Sequence, residues 1–327
     1  MKINTNEINN KEKRELYSHL WGKKDFSFEV VKNGKTDKSY EFVFGGYDLI
    51  TMVGKSIARN FSIEEDTEFL DKFRMACSGT GDELKKITTL HSSSLCSLLF
   101  FYNVKNTPVE IDEYRFNESY FEFKNKVIGY PSNVDVVLLG ENANTKKKAI
   151  LFLESKFSEF ITGVTKGGRN FEIGKSYFNE KSFSKPIYDK LFDDGILKKE
   201  NENHVSAKKE TYIEGIKQMI SHYYGIRNFI EKKFYDEELE NQKKVIEYYN
   251  SDCEIILGEI LFDNLSENQE KNYLNPYIED YKKLSKIINM QIKSNNVENF
   301  KMLEEPLKYS NLKNLINPAI RNFYFGE

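Results

Sequence analysis

Two short runs near the middle of the chain constrain its fold more than any other feature. They are Tyr130-Pro-Ser-Asn-Val-Asp-Val-Val-Leu-Leu139 and Ala149-Ile-Leu-Phe-Leu-Glu-Ser-Lys156, separated by the polar segment Glu141 to Lys148. Both are rich in β-branched, aliphatic or aromatic residues, and they read as two strands joined by a hairpin loop. A strand with one face in water alternates apolar with polar residues. Here Ile150 and Phe152 share the face of Glu154 while Leu151 and Leu153 take the other. Val137 and Leu139 share the face of Asp135, opposite Val136 and Leu138. Both faces of the hairpin are therefore expected to be buried.

The register has a chemical consequence. Symmetric pairing about the loop puts Leu139 opposite Ile150, and Asp135 opposite Glu154. Directly opposed residues have Cβ atoms roughly 4.5–5.5 Å apart. Two carboxylates at that spacing on apolar strands repel each other and resist desolvation. A divalent cation between them would remove both penalties. Lys156 lies two residues beyond Glu154, on the same face. Hard oxygen ligands of this kind suit Mg²⁺, with Mn²⁺ as a substitute, and Mg²⁺ keeps several waters. Lys156 would then orient or polarise one of those waters for attack on phosphorus. The plainer reading is a surface hairpin in which Lys156 pairs with Glu154 or Asp135, and the two-sided apolar pattern argues against it.

The arrangement resembles the PD-(D/E)XK nuclease superfamily, with Asp135 at the first acidic position and Glu154 and Lys156 in the E-x-K tripeptide. One departure is that Pro131 stands four residues before Asp135, not beside it. The resemblance implies an α/β, restriction-endonuclease-like core with a mixed central sheet flanked by helices. It implies metal binding by Asp135 and Glu154, with Lys156 assisting the attacking water. In such nucleases the helix before the hairpin often supplies another acid. Glu83, in Ser78-Gly-Thr-Gly-Asp-Glu-Leu-Lys-Lys86, is the candidate third metal ligand and catalytic acid, with Asp82 second. A helix-start carboxylate favoured by the macrodipole is an equal alternative. The segment His91-Ser-Ser-Ser-Leu95 followed by Phe100-Phe101 is similar to one in some poorly characterised bacterial members. Ser92 or Ser93 is expected to cap the next helix, and His91 reads as a structural histidine.

Downstream, Thr211 to Gly225 reads as a helix, with Ile213, Ile216, Ile220 and Tyr223 as its apolar stripe. Related nucleases can carry a glutamine on this helix and a tyrosine about one turn later. Gln218 fits, with Tyr223 or Tyr224 nearby, although the four-residue spacing itself lands on His222. The implied role for Gln218 is a hydrogen bond to a metal-bound water or a phosphate, and the alternative is a polar position beside a buried face. Cys253 to Phe262 reads as a buried strand. The order helix, strands, helix, strand agrees with the implied core.

Composition narrows the function classes. A length of 327 residues allows at most about two domains. No apolar stretch is long enough to span a bilayer. Cys77, Cys96 and Cys253 are odd in number and far apart, which suggests neither a disulfide framework nor a structural zinc. With no apolar run near Met1, a cytoplasmic location is expected. The net charge of −3 is not the footprint of a protein that coats itself along DNA. Nucleic-acid contacts must then be local, at Lys146 to Lys148, Lys166-Gly-Gly-Arg169, Lys208, Lys209, Lys217 and Arg227. The chain has no Walker-type Gly-Lys-[Ser/Thr] and no Gly-x-Ser-x-Gly elbow, which argues against a P-loop enzyme or a serine hydrolase.

Residues 1–80 read as an accessory layer: a helix from Asn9 to Leu20, a hairpin from Phe26 to Phe44 about Asn33-Gly34, and a helix from Ile63 to Met75. Residues 81–262 form the nuclease-like core, with Phe121 to Ile128 as the strand before that of Asp135. Its insertion, 157–210, is too long for a plain loop. It carries Phe171, Tyr177, Phe178, Phe183, Tyr188 and Phe192, so it is expected to fold and to wall a substrate groove. Residues 263–327 read as a helical tail in which Tyr277, Tyr281, Leu284 and Ile288 serve core packing first and a homodimer surface second. The whole is expected to be one compact unit. The expected activity is metal-dependent hydrolysis of DNA, of restriction type. RNA is the alternative substrate, a repair or RNA-processing nuclease the alternative enzyme, and a non-catalytic nucleic-acid-binding module the rival.

Overall fold

The hairpin lies at the centre of a seven-stranded sheet in a computed structural model of the chain. That structure describes residues 49–78, 87, 92–127, 131–157, 173–174, 182–199, 204–207, 213–231, 240–250, 252–264, 274–297 and 299–327. The expected Asn9 to Leu20 helix, the Phe26 to Phe44 hairpin, Asp82, Glu83 and His91 lie outside the described residues. Strand β1 (Val109–Ile111) pairs antiparallel with β2 (Tyr114–Lys126), β2 with β3 (Pro131–Asn142), and β3 with β4 (Lys148–Lys156). Leu139 pairs with Ile150 and Val136 with Leu153, which is the register read from the sequence. The strand before β3 is longer than expected, beginning at Tyr114 rather than Phe121.

Beyond β4 the sheet changes direction. The chain leaves β4 and builds a small sheet from β5 (Ile173–Gly174), β6 (Leu197–Lys199) and β7 (His204–Ala207), in the order β5-β7-β6. It returns to the main sheet through helices to β8 (Glu254–Leu261), which runs parallel to β4. Strands β9 (Phe300–Met302) and β10 (Leu307–Lys308) both pair parallel with β8. The result is α/β with a mixed central sheet. The C-terminal segment is not wholly helical, because β9 and β10 complete the sheet. Each of these strands is too short to show the period-2 pattern that marks a strand in a sequence.

Helices cover both faces, which is why β4 needs no polar face: all its residues after Lys148 are buried. One layer contains α1 (Leu49–Asn60), α2 (Thr67–Ala76), α3 (Ser93–Phe101) and α8 (Pro318–Phe325). Local chemistry sets their ends. Asp66 caps α2 through the Phe69 N–H at 2.8 Å, Ser92 caps α3 through that of Leu95 at 3.0 Å, and Asn317 caps α8 through that of Ile320 at 2.9 Å. The other layer contains α4 (Lys185–Asp193), α5 (Ile213–Ile230), α6 (Glu240–Tyr248) and α7 (Leu274–Ser294). Ile187, Tyr188 and Leu191 of α4 are buried in this layer, so part of the 157–210 insertion belongs to the core. Tyr277, Tyr281, Leu284 and Ile288 of α7 are buried too, and that stripe is core packing. No described helix is long and apolar enough to cross a membrane.

Candidate active site

The site is built where the alternation of β2 and β3 slips. Tyr120 and Val137 face the α5 layer while Phe121 and Val136 face the α3 layer. One step on, the side chains of Glu122 and Asp135 interrupt the pattern, and Phe123 and Val134 return to the α5 layer. The pairing itself does not shift, since Phe121 faces Val136 and Phe123 faces Val134. Glu122 absorbs the change with a left-handed φ of 51°, a conformation that costs a residue with a Cβ about 1–2 kcal/mol. Helix α6 stabilises the kink from outside. Asn241 Nδ2 donates to the Phe121 carbonyl at 2.9 Å and Gln242 Nε2 donates to that of Lys124. Carbonyls on either side of Glu122 thus keep hydrogen-bond partners inside the protein, where losing one is costly. The strained backbone lies beside Asp135, and strain of this kind tends to collect at functional sites.

Asp135 and Glu154 meet from neighbouring strands. Asp135 follows directly on the last ladder pair, Val136 with Leu153. Its Oδ2 accepts the Ser155 N–H at 2.7 Å. Glu154 is only 4% exposed and both its oxygens are engaged. Oε1 accepts from Lys156 Nζ at 2.7 Å, and Oε2 lies 2.8 Å from His222 Nε2. Lys156 Nζ also donates to Gln218 Oε1 at 2.6 Å. His222 Nδ1 lies 2.7 Å from Ser132 Oγ. One helix therefore delivers Gln218 and His222, spaced i, i+4 on a single face. Gly225, one turn further, permits the approach. A Cβ there would stand 2.6 Å from the Asn125 Cβ.

Electrostatics drive the two carboxyls apart. Loss of solvent, then Glu154, then Glu122 raise Asp135 well above the ordinary carboxylate range. Burial would raise Glu154 as well, but Lys156 and His222 outweigh it and hold Glu154 below its usual value. Glu154 is thus the committed anion, and Asp135 is the acid short of positive charge. The opposite face of the sheet braces the tripeptide. Ser155 Oγ donates to the Ser93 carbonyl at 3.2 Å and lies 2.8 Å from the Tyr309 hydroxyl.

The donor set fits a hard divalent cation. Asp135 and Glu154 offer carboxylate oxygens, and an oxygen that accepts one hydrogen bond keeps a second lone pair for a metal. Asp135, surrounded by negative charge, is the group such a cation would stabilise most. Among the described residues no group of three or more His, Cys, Asp and Glu side chains has metal-holding geometry. A cation held here would draw its remaining ligands from water, as Mg²⁺ commonly does.

Of the residues singled out in the sequence, Asp135, Glu154, Lys156 and Gln218 come together. Glu83 lies outside the described residues. Neither Tyr223 nor Tyr224 takes the place beside Glu154. Tyr224 donates to the Phe183 carbonyl at 2.9 Å, and the Tyr223 hydroxyl accepts from Asn295. His222 holds that place, and the four-residue spacing from Gln218 was its signal. Lys146 to Lys148 sit at the far end of the hairpin, about 26 Å of strand from Lys156 at ~3.3 Å per residue. There Lys146 pairs with Glu141, and Lys148 caps the Tyr248 carbonyl and stacks over its ring. Lys166, Arg169, Lys208 and Lys209 lie outside the described residues. Three buried acceptors or donors gave no sequence signal. Glu122 and Ser132 sit in mixed polar stretches. Glu259, opposite Glu154 in the β4–β8 register and hydrogen-bonded by Tyr277 at 2.5 Å, hides in an apolar run. Comparison with protein families, curated proteins and solved structures gives no match to this chain.

Proposed function

We propose that this chain is a metal-dependent phosphodiesterase of restriction-endonuclease-like fold that hydrolyses DNA, most simply a restriction-type endonuclease. The observation that best supports this reading is the convergence of Asp135, Glu154 and Lys156 at one end of a buried hairpin, with Gln218 bonded to the lysine. A surface ion pair would not be buried so deeply: Glu154 and Lys156 are 4% and 3% exposed. Asp135 and Glu154 would hold Mg²⁺, or Mn²⁺ in its place. When bound, such a cation neutralises charge on the phosphate and lowers the pKa of a coordinated water. Gln218 and Glu154 fix the Lys156 ammonium, which would orient the oxygen that attacks phosphorus. The Ser155 N–H fixes Asp135. Lys217 neighbours Gln218 on α5 and is the local cation for a backbone phosphate, while Arg227 lies on the other side of that helix, paired with Glu231 at 2.9 Å.

A second reading has its own support. Both Glu154 oxygens and Lys156 are already bonded within the protein, a closed network that also suits a non-catalytic nucleic-acid-binding module. Cleavage of supercoiled plasmids, genomic DNA and structured RNA with Mg²⁺ or Mn²⁺ separates the readings. Discrete DNA fragments, lost in Glu154→Ala and Lys156→Ala, are the expected result. A smear lost in both variants would mean a nonspecific nuclease, and cleavage of RNA alone a processing enzyme. Binding without cleavage would favour the module. Cleavage by Lys156→Ala at the wild-type rate would remove the lysine from the mechanism.

A further inference from the structure

We infer that His222, locked by Ser132, is a positioning residue that orients Glu154 for a divalent cation. The inference rests on the metal-site reading above and goes beyond it by assigning a residue outside the D…E-x-K set.

An ionised carboxylate only accepts. At 2.8 Å from Glu154 Oε2, the Nε2 of His222 must therefore be the protonated nitrogen. On the other side of the ring Nδ1 lies 2.7 Å from the Ser132 hydroxyl, which can donate or accept. Ser132 thus fixes the ring orientation, and that orientation aims the Nε2–H at the carboxylate. All three side chains are buried, with Ser132 8%, His222 2% and Glu154 4% exposed, so bulk water does not compete for these bonds. The geometry also fixes which Glu154 oxygen does what. Lys156 takes Oε1 and His222 takes Oε2, so the carboxylate plane is held at both ends.

A nucleophilic serine is a poorer account of the same atoms. The acid meets Nε2 and the serine meets Nδ1, and the serine is buried behind the ring on β3 rather than presented to a cleft. An orienting chain needs no exposed nucleophile. It resembles in logic the outer-shell partners that fix metal ligands, whose loss commonly costs 10–100-fold in metal affinity.

The test is calorimetric titration of the full chain with Mn²⁺, alongside thermal unfolding without metal. Compared are wild type, Glu154→Ala, His222→Leu, His222→Gln and Ser132→Ala. The glutamine amide can place a donor near the position of Nε2, so it is the conservative variant. The expected result is Mn²⁺ binding by wild type, loss in Glu154→Ala, and about 10–100-fold weaker binding in His222→Leu. His222→Gln should recover most of that affinity, and Ser132→Ala should fall between wild type and His222→Leu. If His222→Leu does not fold, Ser132→Ala carries the test. Wild-type affinity in a folded His222→Leu, or in Ser132→Ala where the leucine variant is unfolded, would overturn this inference and leave the metal site standing. Absence of Mn²⁺ binding by wild type would overturn both.

Discussion

Two buried lysines lie on opposite faces of the same sheet, and their surroundings differ. Lys156, 3% exposed, faces the α5 layer between a carboxylate and an amide oxygen. Lys72, 8% exposed, projects from α2 on the other face, where its hydrogen bond is to the Ser119 hydroxyl at 2.8 Å. Burial pushes the Lys72 ammonium down to about 8, and the charges of Glu68 and Glu118 only partly offset it. Burial alone therefore does not make a lysine part of a site. What distinguishes Lys156 is that the fold brings it a carboxylate from β4 itself and an amide oxygen from α5.

The comparison predicts opposite responses to the same substitution. Lys156→Met leaves Glu154 buried with one of its two partners gone, and breaking a buried pair in this way costs about 3–5 kcal/mol. His222 still holds Oε2, so the lower end is expected, together with loss of any metal-dependent turnover. Lys72→Met should stabilise the protein at pH 7. A lysine held near 8 when folded and near about 10.4 when unfolded opposes folding by at most about 3 kcal/mol. Wild type loses that penalty as pH rises from the folded to the unfolded value, because the unfolded chain then binds the extra proton. The advantage of Lys72→Met should accordingly be full below pH 8 and gone near pH ~10.5. Denaturant midpoints at neutral and alkaline pH measure both variants. A destabilised Lys72→Met at pH 7 would erase the contrast.

The sequence revealed the site face better than the opposite one, for a physical reason. Hairpin symmetry fixes a register, and the register places Asp135 beside Glu154 before any long-range contact is known. The β3–β4 ladder follows that pairing. Gln218 came from the resemblance to related nucleases, and the four-residue spacing counted from it fell on His222. What stayed hidden depends on tertiary position. The left-handed Glu122, the capping of its neighbours by Asn241 and Gln242, and the reach of Ser132 to the ring leave no periodic trace. Lys72 looks like any lysine on an amphipathic helix, and only the packing of α2 on β2 buries it. Strands β9 and β10, at three and two residues, owe their state to β8.

Gly225 sharpens the contrast at smaller scale. Gly225→Ala gains about 1 kcal/mol of helix propensity but drives a Cβ to within 2.6 Å of Asn125 Cβ. Overpacking of this kind costs about 1–3 kcal/mol, so a net loss of roughly 0–2 kcal/mol is expected. Because Gln218 and His222 share that helical face, Mn²⁺ affinity should fall with stability. A stabilised variant with unchanged affinity would mean that α5 can shift without disturbing Glu154.

The smallest effect is expected where the surroundings of the two lysines are linked. Helix α3 lies on the Lys72 face and reaches both: the Ser93 carbonyl at its start accepts from Ser155, which sits between Glu154 and Lys156 in β4, and the Phe101 carbonyl at its end accepts from Ser119, the partner of Lys72. Its N-cap bond from the Leu95 N–H to Ser92 Oγ is 3.0 Å. Ser92→Ala removes that bond and should cost about 1 kcal/mol. Fraying of the first turn would loosen Ser155 more than Ser119, since the cap effect fades beyond the first turn while Phe101 lies at the far end of the helix. The alkaline rise in stability due to Lys72 should therefore persist in Ser92→Ala, while the site side weakens slightly. Denaturant unfolding against pH reads the first, and Mn²⁺ titration the second. Loss of the alkaline rise would show that α3 couples the two lysines as one rigid unit.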